Sequence, residues 1–499
     1  MTLSSKNAVR GHGRRRGLLM QVVTTLALAM NHLVMGVSVA FAGVFTEQIT
    51  SADAGLQLSV SQISWICSIT SVGNMLGYLI SSYVNPMYGA IRVCQICAPL
   101  VAGGYLMVAL GNNFWVLLAG RLLLGLFNGV TTGPTNTHVG EIASANLRGF
   151  LTSSMITIGV SGITCTYLTG WLLGWRQMCL VMGISPMVFM FVITLMLPRS
   201  PRWLIVKGHP AEEAARSLKF YFGDDFNVDS ELKGIRESLG DGHKHDATLV
   251  QVLGRLRHRH NLVPFLLVLA LYVFFVFSGG FTTTTFAPVI FKDVGGFSNP
   301  YMGSILVGVV RVVATIMCSV VMNRLHRRTL LMVNGAVGGA GCLVAGCYFF
   351  YREQLSDHAW LSLTSVLVIV FFMSLGISPL KSVLFGELLP NSIRSELGGI
   401  CLAFFGTSNF LMVYTFPLVL QTVGMSGIYW FFTLMHFLML AFSLFCLPDT
   451  NGKSIEEIQK MFLKNAASSA SKHRPVCVVE EPKERLTDVK VHFEGPKAE

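Results

Sequence analysis

Apolar stretches of about 20 residues or more alternate with short polar segments along almost the whole chain. A helix needs about 20 mainly apolar residues to cross the ~30 Å hydrocarbon core of a membrane. The pattern predicts twelve spans, at residues 18–45, 62–84, 91–111, 114–138, 150–173, 178–197, 262–291, 301–322, 329–350, 360–385, 396–423 and 427–447. The first stretch is too long for a cleaved signal peptide, and no small-residue cleavage site follows it. The predicted fold class is an all-α membrane protein with two six-helix halves.

A long polar stretch separates the sixth and seventh spans, and together with the polar ends it divides the chain into five predicted regions. These are a basic N-terminus (1–17), a first six-helix bundle (18–197), a helical linker (198–261), a second six-helix bundle (262–447) and a tail (448–499). The linker predicts two short amphipathic helices, Pro210–Phe222 and Asp229–Leu239. The first has acids early and bases late, which suits the helix dipole. We interpret the linker as a tether between the halves, and we expect disorder from Ala466 onwards.

Basic residues predict the orientation of the spans. Residues 1–16 hold five Lys/Arg and no acid, and residues 199–260 hold eleven Lys/Arg, whereas every second loop holds few. Basic loops stay in the cytoplasm, so both termini and the linker are expected to be cytosolic. The net charge of +11 then indicates orientation and contact with the lipid bilayer rather than binding to nucleic acid.

Composition excludes several classes of protein. Hydrophobic residues make up 52% of the chain and charged residues 13%, whereas a soluble domain carries roughly 25% charge. The eleven cysteines lie in predicted spans or in the tail, so no disulfide framework is expected. The Cys94-x2-Cys97 spacing lacks a second pair, so we predict no metal site and no other cofactor. The sequence shows no recognisable nucleophile–base set, so we do not expect an enzyme. Nothing in the sequence requires an oligomer.

A charged motif recurs about half a chain apart. Glu141 precedes Arg148 by seven residues, and Glu387 precedes Arg394 by the same spacing, each pair closing an apolar stretch. The repeat implies two related membrane halves, an architecture more common in transporters than in enzymes. Small residues at Gly120–Gly133 predict close helix contact. We also expect broken helices at Ser278-Gly279-Gly280 and at Pro379, because broken helices at membrane depth line polar cavities.

Six motifs, in order, resemble those of the sugar porters of the major facilitator superfamily, and most of all those of insect facilitated trehalose transporters. The resemblance covers residues 18–463. The motifs are Gly120-Arg121-x3-Gly125, Glu141-x6-Arg148-Gly149, Pro198–Leu204, Phe277-Ser278-Gly279, Asn323–Arg328 and Pro448–Ser454. The resemblance implies that Arg92, Glu141, Arg148, Arg327, Glu387 and Arg394 hold the cytosolic ends of the bundles together in the outward-open state. The alternative is that these residues are solvated charges at helix ends.

The sugar site departs from the family pattern. By alignment, family glutamines and asparagines fall on Phe275, Val276, Phe281, Arg311 and Phe405, and a Pro-Trp pair falls on Lys381-Ser382. Amides suit sugar hydroxyls because each offers a donor and an acceptor, and most are lost here. The possible polar contacts that remain are Thr282, Thr283, Thr284, Thr285, Asn409, Asn74, Asn128, Asn136, His138, Asn31 and His32.

The resemblance implies a multi-pass plasma-membrane carrier. We expect it to move a small-molecule solute, a sugar such as trehalose or a hexose, by alternating access and facilitated diffusion. A second hypothesis is an organic-anion or sugar-acid carrier that uses Arg311 and Lys381. The structural alternative for these cations is pairing with Glu387 or with backbone carbonyls, or snorkelling of Lys381 towards water. A third hypothesis is a sensor that binds solute without moving it.

Overall fold

The computed structural model describes residues 2–50, 56–144, 146–223, 226–240, 259–294, 299–322, 324–389, 394–450, 453 and 457–462. Every regular element in these ranges is helical, as predicted. The first half consists of α1 (Thr2–Ile49), α2 (Val60–Tyr88), α3 (Ala90–Leu110), α4 (Phe114–Ile142), α5 (Arg148–Leu172), α6 (Trp175–Met178), a π-helical segment (Cys179–Ile184) and α7 (Ser185–Leu195). A capping box formed by Ser59 and Gln62 begins α2, and the Asn113 side chain caps α4.

Glycines bring α2 and α4 into close contact. A Cβ atom at Gly125 would lie 2.1 Å from the carbonyl oxygen of Thr70, and one at Gly77 would lie 2.2 Å from that of Leu126. No side chain larger than hydrogen fits these positions without moving a backbone. The predicted small-residue face of the fourth span is therefore the surface on which two helices pack backbone to backbone.

Three short helices follow the first half. They are α8 (Pro201–Val206), α9 (Ala211–Phe222) and α10 (Val228–Gly240). The last two match the two amphipathic helices predicted in the linker. The side chain of Gln21 donates to the carbonyl oxygen of Tyr221 at 2.8 Å, and the Trp203 indole donates to that of Pro86 at 3.1 Å. These bonds attach the linker helices to the first half.

The second half begins with a broken helix. Its elements are α11 (Arg259–Phe277), α12 (Gly280–Thr285), α13 (Ala287–Val294), α14 (Pro300–Val321), α15 (Arg327–Val333), a π-helical segment (Asn334–Gly338), α16 (Gly339–Phe350), a 3₁₀ turn (Ser356–His358), α17 (Ala359–Leu375), α18 (Ile377–Leu388) and α19 (Arg394–Phe445). The predicted break at Ser278-Gly279-Gly280 is confirmed. Gly279 has φ +90°, a left-handed conformation that favours glycine.

The second predicted break lies elsewhere. The chain leaves helical geometry at Gly376, with φ −101° and ψ −98°, and not at Pro379. Pro379 instead occupies the first turn of α18. The first turn tolerates proline because the missing N–H would have no helical partner there. The expectation of a broken helix was correct, and its position was wrong by three residues.

Within the described part of the chain, eleven helices are long and apolar enough to cross a membrane. The prediction was twelve. The last candidate, Leu397–Phe445, has 49 residues, which at 1.5 Å per residue is more than twice the ~30 Å thickness of the hydrocarbon. Gly424 breaks it with φ 72° and ψ 177°. That break falls between the predicted spans 396–423 and 427–447.

The α2–α4 contact gives the first prediction. Gly125→Ala should lower the thermal unfolding midpoint of the detergent-purified protein, because overpacking costs about 1–3 kcal/mol. Gly103→Ala is the matched control, since a Cβ at Gly103 in α3 would meet nothing within 4 Å. Equal midpoints for the two variants would contradict the close contact.

Candidate functional site

A polar latch joins the two halves at one end of the bundle. Its members are Glu47, Gln48, Lys292 and Tyr301. The Tyr301 hydroxyl donates to Glu47 Oε2 at 2.8 Å and accepts from Gln48 Nε2 at 2.9 Å. Lys292 Nζ lies 3.5 Å from Glu47 Oε1. We call this end the opposite face, and we call the end that carries Arg92, Arg148 and Arg327 the basic face.

Tight backbone contacts support the latch. The Tyr167 hydroxyl in α5 donates to the carbonyl oxygen of Thr284 in α12. A Cβ atom at Gly43 would lie 2.5 Å from the carbonyl oxygen of Thr285. A Cβ at Gly308 in α14 would lie 2.5 Å from the hydroxyl oxygen of Thr164. The halves therefore meet closely on the side of the central cavity that faces the latch.

The central cavity lies between the halves and has a volume of ≈ 450 Å³, open solvent at its mouth included. Its wall combines residues of α1, α2 and α4 with residues of α12 and α19. The lining residues are Met35, Ser38, Val39, Ala42, Cys67, Thr70, Ser71, Asn74, Arg121, Asn128, Phe281, Thr285, Asn409 and Val413.

Several polar atoms in the cavity wall have no protein partner. Among the described residues these include the amide oxygens of Asn74, Asn128 and Asn409 and the hydroxyl of Thr70. Asn409 Nδ2 donates to Ser71 Oγ at 3.0 Å, and this bond joins the halves across the cavity. Buried polar groups need partners. The wall therefore offers acceptors to water or to the hydroxyl groups of a solute.

Arg121 supplies a charge to the same wall. Its guanidinium donates to Ser38 Oγ at 3.0 Å, to the Ser38 carbonyl oxygen at 3.2 Å and to the Ile66 carbonyl oxygen at 3.3 Å. It also lies 4.4 Å from the ring centroid of Phe41. In the sequence, Arg121 stands out only as part of the Gly120-Arg121-x3-Gly125 motif. Its position as a lone cation inside an apolar stretch was the signal that could have placed it in the site.

The structure places the sequence-predicted neutral residues in different surroundings. Phe281 and Asn409 line the cavity. Thr282 and Thr283 are fully buried, and the Thr283 hydroxyl lies 3.4 Å from that of Tyr429. Three more predicted residues lie outside the cavity lining: Phe275 and Val276, which are buried, and Ser382, which is exposed.

Arg311 and Lys381 are two cations at membrane depth in the second half, and Lys381 lies beside an aromatic cluster. Lys381 Nζ lies 4.1 Å from the ring centroid of Phe275 and donates to the Ser378 carbonyl oxygen at 2.7 Å. The Phe275 ring is 5.5 Å from that of Phe281, which lines the cavity. Arg311 is 7% exposed, and its Nη1 has no hydrogen-bond partner among the described residues.

The alternative that Glu387 pairs with these two cations is wrong, whereas the alternative of a backbone carbonyl holds for Lys381, which bonds the Ser378 carbonyl oxygen. Glu387 Oε1 lies 3.1 Å from Arg327 Nη2, and Glu387 Oε2 accepts from Thr450 Oγ1 at 2.7 Å. Both oxygens are therefore engaged at the basic face. Arg327 follows a short turn into α15, and this geometry brings its side chain to the end of α18.

The other predicted gate residues also lie at the basic face. Glu141 accepts a hydrogen bond from Ser200 Oγ, and no ion pair joins it to Arg148 within the described residues. The reason is that Ser200 caps α8 directly beside Glu141, whereas Arg148 begins α5 on its exposed side. Arg92 is exposed as well. The side chain of Arg394 lies outside the described residues.

Burial also affects one titratable group in the linker at this face. The Tyr221 hydroxyl donates to the carbonyl oxygen of Pro198 at 3.0 Å and lies 3.3 Å from His138 Nε2. Burial raises the pKa of Tyr221. The phenol therefore stays protonated and remains a donor to Pro198 at the start of the linker, while the Gln21 side chain holds α9 on the first half.

Residues 18–462 match the family model described as "Sugar (and other) transporter". The chain belongs to this family. It is 28% identical over 448 residues to a facilitated trehalose transporter of Polypedilum vanderplanki and 27% identical to one of Apis mellifera ligustica. Each alignment covers 89% of this chain and 88% of the relative. The resemblance inferred from the motifs is confirmed, and the chain is a multi-pass membrane transporter rather than an enzyme.

Solved structures support the fold. The transporter is similar to the inward-open xylose transporter XylE of E. coli, with a TM-score of 0.74 and 20% identity over 88% of this chain and 98% of that chain. It is also similar to the proton:xylose symporter XylE bound to 6-bromo-6-deoxy-D-glucose, with a TM-score of 0.68 and 23% identity over 89% of this chain and 99% of that chain. These similarities establish the major facilitator fold.

The latch gives the second prediction. Tyr301→Phe removes the hydroxyl shared by Glu47 and Gln48, and each lost bond is worth about 0.5–1.5 kcal/mol. The cavity should then open more often at the opposite face. Cys67 lines the cavity and is nearly inaccessible. We expect an impermeant maleimide, added at that face, to modify Cys67 roughly 3- to 10-fold faster in Tyr301→Phe, as measured by mass spectrometry.

Tyr351→Phe is the control for this experiment, because Tyr351 is exposed after α16 and lies outside the latch. It should label at the wild-type rate. If the two variants label Cys67 equally, the latch does not hold the opposite face closed.

Proposed function

We propose that this transporter carries a sugar, trehalose or a hexose, across the membrane by alternating access and facilitated diffusion. The unsatisfied amide and hydroxyl groups in the wall of the central cavity carry the proposal. Sugar hydroxyls act as both donors and acceptors, so they can satisfy Asn74, Asn128 and Asn409 together. The names of the relatives, facilitated trehalose transporters, support the same solute class.

Alternating access follows from the asymmetry of the contacts between the halves. The latch closes the opposite face, whereas polar side chains on the other side of the cavity are exposed. Asn136 and Thr137 near the end of α4, Ser382 in α18 and Thr407 in α19 are the examples. Polar side chains at membrane depth face water rather than lipid. We infer a vestibule that opens at the basic face.

The orientation and division of the chain are part of the proposal. We propose twelve spans, with α19 counted as two because of Gly424, and cytosolic termini. The five regions are the ones expected from the sequence: 1–17, 18–197, 198–261, 262–447 and 448–499. The basic face is then cytosolic, and the conformation described is inward-facing. We place the protein in the plasma membrane, with a small solute and lipid as its partners.

The gate residues have a defined role in this cycle. In the inward-facing state each half keeps its own charges, with Glu141 on Ser200 and Glu387 on Arg327. We propose that Glu141, Glu387 and the basic residues Arg92, Arg148, Arg327 and Arg394 pair across the halves when the basic face closes. The contacts seen here are partly exposed and therefore weak enough to exchange.

Uncoupled transport is the simplest mechanism for this cavity. Its lining contains no Asp or Glu among the described residues, and Ser38, rather than an acid, is the α1 side chain bonded to Arg121. A carboxylate in that place could carry a proton with the solute. Without one, the gradient of the sugar alone sets the direction of transport.

The third prediction tests flux directly. Purified protein in liposomes should take up labelled trehalose or hexose down its gradient, and a protonophore should leave the initial rate unchanged. Empty liposomes and protein with Asn409→Leu, which removes a cavity amide, are the controls. Strict dependence on a proton gradient would refute facilitated diffusion. Saturable binding with no flux would instead favour a non-transporting sensor.

A further inference from the structure

Three departures from regular α-helix lie close together inside the second half. They are the left-handed Gly279 between α11 and α12, the π-helical segment Asn334–Gly338 and the non-helical Gly376 between α17 and α18. A Cβ atom at Gly376 would lie 2.9 Å from Asn334 Cβ, so the α17–α18 break touches the π-helical segment. A Cβ atom at Gly279 would lie 2.2 Å from the Phe432 ring in α19. The chain therefore interrupts three helices around one place.

A buried polar cluster occupies this place, and we call it the polar hinge. Its members are Ser278, Asn334, Cys342 and His436, each at most 1% exposed. Cys342 Sγ lies 3.7 Å from His436 Nδ1 and 4.0 Å from the Ser278 carbonyl oxygen. A Cβ atom at Gly338 would lie 2.6 Å from His436 Nε2 and 3.3 Å from Asn334 Oδ1. Both of these atoms therefore lie over the bare side of Gly338, and measured distances join all four members.

The polar hinge contains both donors and acceptors that lack partners. Ser278 Oγ, His436 Nε2 and both amide atoms of Asn334 have no hydrogen-bond partner among the described residues. His436 Nδ1 lies 3.0 Å from the Phe432 carbonyl oxygen, which can only accept. In a neutral imidazole Nδ1 therefore carries the hydrogen, and Nε2 is an acceptor. Unpaired polar groups are costly at membrane depth, so this cluster needs a partner that both donates and accepts.

We propose that the polar hinge binds a small cluster of water molecules. Water fits because each molecule both donates and accepts, and a buried water typically makes about three hydrogen bonds to polar groups that would otherwise be unpaired. A cation fits less well, because the Asn334 Nδ2 donor would face it and the polar hinge has no charged side chain to neutralise it. No member of the polar hinge lines the central cavity. The water site is thus separate from the solute site and does not depend on which solute is carried.

The bound water lets the broken helices bend. α12 follows the break at Gly279 and carries Phe281 and Thr285, which line the cavity. When α12 changes its angle to α11, backbone and side-chain groups at the break must exchange hydrogen bonds. Water molecules can follow this exchange at little cost, whereas an apolar filling would leave the freed groups unpaired in hydrocarbon. The polar hinge therefore supports movement of the cavity wall.

X-ray radiolysis detects such water, because hydroxyl radicals formed from a bound water molecule oxidise the side chains beside it. The experiment uses the full-length protein in lipid nanodiscs and mass spectrometry. Cys342 is one reporter, and Met373 is the other, since its Sδ would lie 2.8 Å from a Cβ atom at Gly280. Cys94 and Met190 are the references, because all four side chains are fully buried. We expect each reporter to be oxidised at least about 5-fold faster than the reference of its own type.

Variants assign the water to the polar hinge and test its role. Asn334→Leu removes the amide and Ser278→Ala removes the hydroxyl. Each should lower the oxidation of Cys342 towards that of Cys94. In the liposome uptake assay Asn334→Leu should lower kcat at least about 5-fold and change KM less than about 2-fold, since the solute site is untouched. Its thermal midpoint should not fall, because an apolar side chain of similar size needs no partner. A purely structural role would lower the midpoint and kcat together.

Ser362→Ala is the matched control for Ser278→Ala. Ser362 is also a buried hydroxyl without a partner among the described residues, but it lies at the end of α17 far from Gly376. It should keep the wild-type oxidation and kcat. If the variants fail to fold, the wild-type comparison still decides.

Equal oxidation of reporters and references in the wild type overturns the water site. Loss of the oxidation in Asn334→Leu with an unchanged kcat overturns its role in bending. Both results leave the carrier proposal intact. Rapid oxidation of Cys342 in a protein that shows no flux supports the water site and overturns the carrier proposal.

Discussion

Hydrocarbon solvates neither charges nor open backbone groups, and this constraint explains where the transporter places its ionisable residues. A cation at the centre of a span costs about 2.5–3.5 kcal/mol on insertion scales. The acids Glu47, Glu141 and Glu387 lie near helix ends, each with a hydrogen-bond or ion-pair partner. Arg121 is tolerated inside because Ser38 and Ile66 supply oxygen atoms and Phe41 supplies a ring face. Each of these four charged residues therefore has an identifiable group that compensates its charge.

The same constraint makes the contacts between the halves reversible. The latch consists of a few partly buried hydrogen bonds and one ion pair with Lys292 at 3.5 Å. Each is worth on the order of 1 kcal/mol, so the sum can be matched by contacts formed at the basic face. Within the first half, by contrast, Gly77 and Gly125 let α2 and α4 pack backbone against backbone. Exchangeable polar contacts between the halves, together with backbone-to-backbone packing within the first half, are what rigid-body rocking requires.

Much of the fold could be predicted from the sequence, because the hydropathy period and the charge pattern are local properties. They predicted the all-helical membrane fold and the two linker helices. The position of the break in α17–α18 could not be predicted this way. Pro379 is the conspicuous residue, but its chemistry is compatible with a first turn, whereas Gly376 has the non-helical backbone. Gly424 is similar: a single glycine in an apolar stretch does not reveal a left-handed φ.

The site was less predictable, because side-chain pairing depends on tertiary distance. Phe281 was found by alignment to the family pattern and Asn409 as a remaining polar residue of its span, and both line the cavity. Three hydroxyl residues of the cavity wall were not predicted, namely Ser38, Thr70 and Ser71. Small hydroxyl residues are common in membrane helices and usually bond to their own backbone, so they do not stand out in the sequence. The hydrogen-bond partner of Glu141 could not be predicted either. Ser200 is distant from Glu141 in the sequence, and the two side chains meet only because α8 packs on the first half.

The cavity combines polar groups that the sequence separates by hundreds of residues. The first half contributes amides, hydroxyls and the Arg121 charge, and the second half contributes the Asn409 amide, the Thr285 hydroxyl and the Phe281 ring. Amides and hydroxyls suit a neutral polyol. Phe275 holds Lys381 in place, since the ammonium lies 4.1 Å from its ring centroid. A solute in the cavity would contact α12 at Phe281 and Thr285, and the Thr284 carbonyl oxygen of the same helix accepts the hydrogen bond from Tyr167. Recognition of the solute and closure of the opposite face therefore involve the same short helix, which connects solute chemistry to the conformational cycle.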